Sequence, residues 1–102
     1  MNITDSQFNA ISHLTSATKL DSTIDIAWDG TGDFFVDFEE NKKLTIKEGL
    51  EEIADAIAYP LAHDVSSDEA IIIVDLFSKY EVYNPMYKNK EDYYQWLLQG
   101  VE

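Results

Sequence analysis

Residues 24–46 read IDIAWDGTGDFFVDFEENKKLTI, and apolar side chains in this stretch alternate with acidic or other polar ones. The alternating apolar residues are Ile24, Ile26, Trp28, Phe34, Val36, Phe38, Leu44 and Ile46. Alternation with a period of two is typical of strands that have one buried face. Turn-forming residues at 29–33 and 39–42 separate the three runs. The stretch therefore predicts a three-stranded antiparallel meander with an apolar face toward the core and a carboxylate face around Phe35.

Helical signals lie on both sides of this stretch. Thr4 and Gln7 form a capping-box pair, which predicts a first helix over residues 4–19. Apolar residues recur at helical spacing over residues 48–59, and a proline follows that should end this helix. A last helix is predicted over residues 90–99, between an asparagine cap and a glycine stop.

The stretch that precedes the last helix is ambiguous. Ser66 and Glu69 form a second capping-box pair, which favours a helix through Lys79. The run of β-branched residues at 71–74 instead favours extended structure, and residues 70–82 also alternate as a strand would. We predict the helix, with a fourth strand over residues 70–82 as the alternative.

Length and composition indicate one folded domain. A chain of 102 residues is about the size of a single domain. Its hydrophobic content of 45% argues against intrinsic disorder, which requires low hydrophobicity together with high charge. The predicted fold is a single α+β domain over residues 1–102. It consists of an N-terminal helix, the three-stranded antiparallel meander, and two to three helices packed on one face of the sheet.

Charge restricts the classes of partner. Twenty acids against seven bases give a net charge of −13, and every base is a lysine. Arginine, the residue best suited to bidentate phosphate contacts, is absent. These counts argue against direct binding to nucleic acid or to an anionic membrane, and they favour a basic protein partner. The first residues show no basic segment followed by an apolar run, and no apolar run approaches about 18 residues, so we expect a cytoplasmic protein.

The sequence gives little support for a catalytic site or a metal-binding site. The chain has no cysteine, and neither His13 nor His63 lies in a recognisable catalytic or metal motif. Residues 29–40 can be laid over an EF-hand calcium loop, but Phe34 occupies the position of the invariant glycine. Both flanks also alternate as strands, whereas the EF-hand needs helices. We therefore expect a protein that is not an enzyme and that has no metal or other cofactor.

The acids are concentrated in one part of the chain. Residues 21–81 contain 16 acids and four lysines. The predicted partner-binding residues lie on the outer faces of the meander and of the following helix. They are Asp25, Asp29, Asp33, Phe35, Asp37, Glu39, Glu40, Glu48, Glu51, Glu52 and Asp55. Residues two apart on a strand are separated by about 6.6–6.8 Å, a distance close to the spacing of about 6–7 Å between phosphates that general geometry and the charge density of DNA imply.

This distribution predicts a non-catalytic acidic inhibitor that binds a basic nucleic-acid-processing protein, as a nucleic-acid mimic of the anti-restriction, anti-CRISPR or nuclease-immunity type. The comparison with those proteins is an analogy of charge and size. The alternative is a small acidic accessory domain that binds a protein, or a second copy of itself, through an aromatic C-terminal surface. The aromatic residues of that surface are Tyr80, Tyr83, Tyr87, Tyr93, Tyr94 and Trp96. A calcium-binding module over residues 29–40 is the third interpretation. The simplest alternative is that the acidity only keeps a small domain soluble or reflects a high-salt habitat.

Overall fold

The computed structural model describes residues 3–15, 26–28, 35–37 and 42–101. Helices account for most of this part of the chain. In chain order the elements are α1 (Asp5–Thr15), β1 (Ile26–Trp28), β2 (Phe35–Asp37), β3 (Lys42–Leu44), α2 (Ile46–Ala56), a 3-10 turn (Leu61–His63), α3 (Ser67–Lys79) and α4 (Lys90–Leu97).

The predicted α+β class, organised around a meander over residues 24–46, is wrong. The three extended segments pair antiparallel in the order β1, β2, β3, but each is only three residues long. Of the strand side chains that the structure describes, Phe35 and Leu44 belong to the core, and the helices supply most of the remaining buried residues. The domain is therefore mostly helical. The alternation overstated the strands because Thr45 begins a helix, so Ile46 is helical and not extended.

The predicted orientation of Phe35 is also wrong. Phe35 is fully buried, whereas the sequence placed it among carboxylates on an outer face. It pairs with Leu44 of β3, whose side chain is buried as well. A Cβ atom at Gly49 would overlap the Phe35 ring, so the bare backbone of α2 provides the space that the ring occupies. Side chains alternate between the two faces of a strand. An error of one residue in the predicted phase therefore places each side chain on the wrong face.

The helix predicted after Ser66 is confirmed, and the alternative of a fourth strand is wrong. The Ser66 hydroxyl accepts a hydrogen bond from the Glu69 N–H at 3.2 Å, and the Glu69 carboxylate accepts one from the Ser66 N–H at 3.3 Å. This reciprocal capping box begins α3. The same arrangement joins Thr4 and Gln7 ahead of α1, at 2.9 and 3.1 Å. The hydrogen bonds of the capping box therefore outweighed the preference of the β-branched residues 71–74 for extended structure.

A tight turn follows α3. The Glu81 N–H donates to the Ser78 carbonyl at 3.1 Å, and the Val82 N–H donates to the Phe77 carbonyl at 2.9 Å. These bonds form a Schellman motif, which requires a residue with positive φ after the cap, usually glycine. Glu81 fills that position with a φ of 55°. Val82 is buried, which is the hydrophobic contact that accompanies such turns.

The last helix is held by its cap and by tyrosine hydroxyls. The Asn89 side chain accepts a hydrogen bond from the Asp92 N–H at 2.9 Å, which confirms the predicted cap of α4. The Tyr94 hydroxyl donates to the Val82 carbonyl at 2.8 Å, and the buried Tyr93 hydroxyl donates to the Ala54 carbonyl at 3.4 Å. Burial raises the pKa of Tyr93 far above its usual range. Tyr93 thus joins α4 to the end of α2.

Candidate functional site

The candidate site lies on α2, whose start is fixed by local hydrogen bonds. The Thr45 hydroxyl accepts a hydrogen bond from the Glu48 N–H at 3.1 Å, and the Glu48 carboxylate accepts one from the Thr45 N–H at 3.0 Å. This capping box starts the helix at Ile46, two residues before the predicted start. The buried side of the helix consists of Ile46, Gly49, Leu50, Ile53, Ala54 and Ala56.

The opposite side of α2 carries four exposed carboxylates. We call them the acidic face, and they are Glu48, Glu51, Glu52 and Asp55. Their places in the sequence put them three or four residues apart, where Cβ atoms on a helix are about 5–6 Å from one another. No lysine stands four residues after any of the four. The predicted outward orientation of these acids on a common helix is confirmed.

One end of the acidic face differs electrostatically from the other. Hydrogen bonds from the backbone N–H and then from the hydroxyl of Thr45 hold the pKa of Glu48 below its usual value, and Lys42 lowers it further. Lys43 and Lys47 are exposed in the same part of the chain. The positive charge therefore gathers at the start of α2, and the later part of the face is acidic.

The other predicted site residues are not brought to this face by anything that the structure describes. Asp25, Asp29, Asp33, Glu39 and Glu40 lie outside the described residues. Asp37 is described through its backbone, which pairs with Ile26 and Lys42. Phe35 is in the core and cannot serve as an exposed apolar anchor. The candidate site thus reduces to the acidic face of α2.

The aromatic C-terminal part contributes mainly to the interior. Tyr93 is fully buried, and its ring lies 5.2 Å from that of Tyr87 and 6.1 Å from that of Trp96 between centroids. Tyr80 and Tyr94 are likewise packed against the core. Tyr83 and Met86 are exposed, at 41% and 90%. The aromatic excess is therefore explained largely by core packing, and a small exposed patch remains.

The two histidines occupy different settings. His13 of α1 makes a hydrogen bond through Nδ1 to the Glu69 carboxylate, which also caps α3. His63 stands beside Tyr59, with ring centroids 5.1 Å apart and planes tilted by 39°. Within the described residues, no group of three or more histidine or acidic side chains is arranged to hold a metal ion. Most of residues 29–40, which were compared with an EF-hand loop, lie outside the part of the chain that the structure describes.

Sequence reasoning missed the Thr45–Glu48 capping box, although its Thr-x-x-Glu pattern is readable in the sequence, and it missed two further features. Gly49 sets how closely β2 approaches α2, and the only sequence signal was a glycine in the middle of an amphipathic helix. An open cleft of about 420 Å³ is lined by Pro60, Ala62, His63, Gln99 and Gly100. Its two walls are 36 residues or more apart in the chain, so no sequence spacing could have indicated it.

Comparison with protein-family models, with curated proteins and with solved structures gave no match for this chain. In the part of the chain described here, no helix has the length and apolar character needed to cross a membrane.

Proposed function

We propose that this protein is a non-catalytic inhibitor that binds a basic nucleic-acid-processing protein through the acidic face of α2. The observation that carries the proposal is the exposure of four carboxylates on one side of a helix whose other side is buried in the core. A capped and packed helix fixes the backbone positions from which these side chains project, so binding has to order the side chains but not the backbone.

The spacing of the carboxylates suits a site that normally receives phosphates. Neighbouring Cβ atoms on the face are about 5–6 Å apart, which is comparable to the phosphate spacing of about 6–7 Å estimated from DNA charge density. A basic channel for nucleic acid concentrates positive potential between low-dielectric walls, which speeds the association of an acidic ligand. The net charge of −13 strengthens this attraction at long range.

The test begins with affinity capture on this protein at low salt, with the captured partner identified by mass spectrometry. The variant Glu51→Lys/Asp55→Lys should then slow association of that partner by about tenfold or more. The control Asp75→Lys/Glu91→Lys changes the net charge equally at exposed positions on α3 and α4. It should retain most of the binding, because neither residue belongs to the acidic face.

Two further readouts separate mimicry from other modes of binding. DNA or RNA should compete with this protein for the partner, and affinity should fall as salt shortens the Debye length from about 10 Å to about 3 Å. Equal binding by both charge variants would overturn the proposal. Loss of binding in Tyr83→Ala/Met86→Ala, with no effect of charge reversal, would instead support an accessory domain that uses its exposed C-terminal patch.

A further inference from the structure

The segment that joins α3 to α4 is a closed loop, which we call the 81–90 loop after its residues. At its two ends the Glu81 carboxylate lies 3.6 Å from the Lys90 ammonium. The Val82 carbonyl accepts a hydrogen bond from the Tyr94 hydroxyl at 2.8 Å, and the buried Val82 side chain fixes the start of the loop in the core. A short surface segment whose ends lie close together is an Ω-loop, a type of loop that is frequently functional.

The turn in the middle of the 81–90 loop has a fixed backbone. The Asn84 side-chain carbonyl accepts a hydrogen bond from the Met86 N–H at 2.9 Å, and the Asn84 backbone carbonyl accepts one from the Tyr87 N–H at 3.0 Å. Pro85 restricts its own φ to the value that the second position of such a turn requires. The Tyr87 ring packs 5.7 Å from that of Trp96 between centroids. The turn is therefore held in place and needs little ordering when a partner binds.

Met86 projects from this turn into solvent. It is 90% exposed, the highest value among the exposed large hydrophobic residues of the described chain. Single exposed apolar side chains are common, but this one stands on a backbone that hydrogen bonds and packing hold in place. Methionine is unbranched and polarisable, so it adapts to pockets of irregular shape. Met86 is thus a preformed apolar protrusion, and a concave apolar pocket is the shape that can bury it.

The charge around Met86 is opposite in sign to that of the rest of the chain. Residues 79–90 contain three lysines and one acid, whereas the other residues contain four lysines and 19 acids. Lys88 is exposed and stands two residues from Met86. Glu81, the only acid of this stretch, is already paired with Lys90. A pocket edged by carboxylates would therefore complement the loop.

We infer that the 81–90 loop docks Met86 into an apolar pocket, edged by carboxylates, on a second partner protein. A second copy of this chain is a poor occupant, because a two-fold contact would place the lysines of one loop against those of the other. Met86 and Tyr83 also offer only a small part of the roughly 800 Å² that each subunit buries in a stable interface. The pocket protein binds in addition to the basic partner proposed above and through a different surface, so the inference does not rest on the acidic face.

A synthetic host tests this chemistry without knowledge of the natural partner. The probe is a water-soluble cavitand, a bowl-shaped molecule with an apolar cavity and a rim of carboxylates, added to the ¹⁵N-labelled full chain. It should shift the amide signals of the 81–90 loop and bind the wild type about tenfold more tightly than Met86→Gln/Gln95→Met. This control exchanges the two side chains at unchanged composition and charge, and it moves the methionine to an exposed position one turn after Glu91 and Asp92. Met86→Leu, which keeps an apolar side chain of similar volume, should bind as the wild type does.

Affinity capture from lysate with the same variants tests for the partner itself. The wild type and Met86→Leu should recover a protein that the exchange variant does not recover and that Glu51→Lys/Asp55→Lys still recovers. Once purified, this protein should bind the exchange variant about tenfold or more weakly than the wild type, and it should bind Lys88→Glu about threefold more weakly.

Equal affinity of the cavitand for the wild type and the exchange variant, or the absence of a captured protein that depends on Met86, would overturn the inference. Sedimentation of the wild type as a dimer that the exchange variant does not form would overturn it in favour of a second copy. These outcomes do not bear on the proposed function, whose test is the release of a basic protein by charge reversal on α2.

Discussion

The contact between Phe35 and Gly49 determines how β2 packs on α2. The phenylalanine ring fills the volume that a side chain at position 49 would take, and both residues are buried. An alanine there would favour the helix by about 1 kcal/mol through its higher propensity. The overlap with a buried ring would cost more than this gain, because closely packed interiors tolerate added volume poorly.

We therefore expect Gly49→Ala to lower the free energy of unfolding by about 1–3 kcal/mol, as measured by urea denaturation. The double variant Gly49→Ala/Phe35→Leu should be less destabilised than the sum of the two single variants, because the smaller side chain vacates the space. Strict additivity of the two changes, or a more stable Gly49→Ala, would contradict the packing described.

Glu81 holds a backbone conformation that favours glycine. Its φ of 55° closes the turn after α3, and its carboxylate is 3.6 Å from the Lys90 ammonium in an exposed ion pair. We expect Glu81→Gly to raise the free energy of unfolding by up to about 1 kcal/mol, since the left-handed conformation costs other residues roughly that amount. Glu81→Ala is the matched control, because it loses the ion pair but keeps the strain. Urea melts in which glycine is no better than alanine would count against this account.

At the scale of elements, Glu69 joins two helices. Its carboxylate caps α3 through Ser66 and accepts a hydrogen bond from His13 on α1, and these helices pack together. Burial raises the pKa of Glu69, but the hydrogen bonds from His13 and Ser66 outweigh that effect, so its pKa lies below the ordinary value of 4.5. A folded-state pKa below the unfolded value means that the unfolded chain binds more protons.

The stability that Glu69 contributes is consequently present above pH 4.5 and is lost as pH falls through the lowered folded-state pKa. We expect Glu69→Gln to be less stable than the wild type at pH 7 by about 0.5–1 kcal/mol, a discounted figure for a partly exposed group. This difference should shrink steadily on acidification toward pH 3. Asp75→Asn, which removes one charge from the exposed side of the same helix, controls for general repulsion. A difference for Glu69→Gln that does not vary with pH would refute the linkage.

At the scale of the whole molecule, the net charge of −13 opposes compaction. Sixteen of the acids fall within residues 21–81, so salt should screen repulsion more than attraction. We expect the melting temperature to rise between about 0.01 and 0.5 M sodium chloride, as the Debye length falls from about 30 Å to below 10 Å. A gain of 1 kcal/mol corresponds to about 4–8 °C for a domain of this size.

The variant Glu51→Lys/Asp55→Lys should show a smaller salt-dependent rise than the wild type, because part of the repulsion is already removed. Thermal melts followed by circular dichroism would measure both. A melting temperature that falls with salt would mean that attractive pairs dominate the folded state.

The sequence alone determined the features that arise from local interactions. The starts of α1, α3 and α4 follow from capping groups at most three residues apart, as in Thr4 with Gln7 and Ser66 with Glu69. The exposed carboxylates of α2 follow from helical periodicity, because the buried positions leave only the other side for Glu51 and Asp55. Interactions between residues so close in the chain can be predicted without knowledge of the rest of the fold.

Only the tertiary structure decided which side of β2 packs into the core and how long the strands are. Phe34, Phe35 and Val36 are consecutive apolar residues, so the alternation pattern could not show which of them faces the core. Phe35 faces the core because Gly49 of α2 leaves space for its ring. The cleft between the 3-10 turn and Gly100 likewise exists only once residues distant in the chain are brought together. Such choices depend on complementary volumes across the fold, which no local pattern encodes.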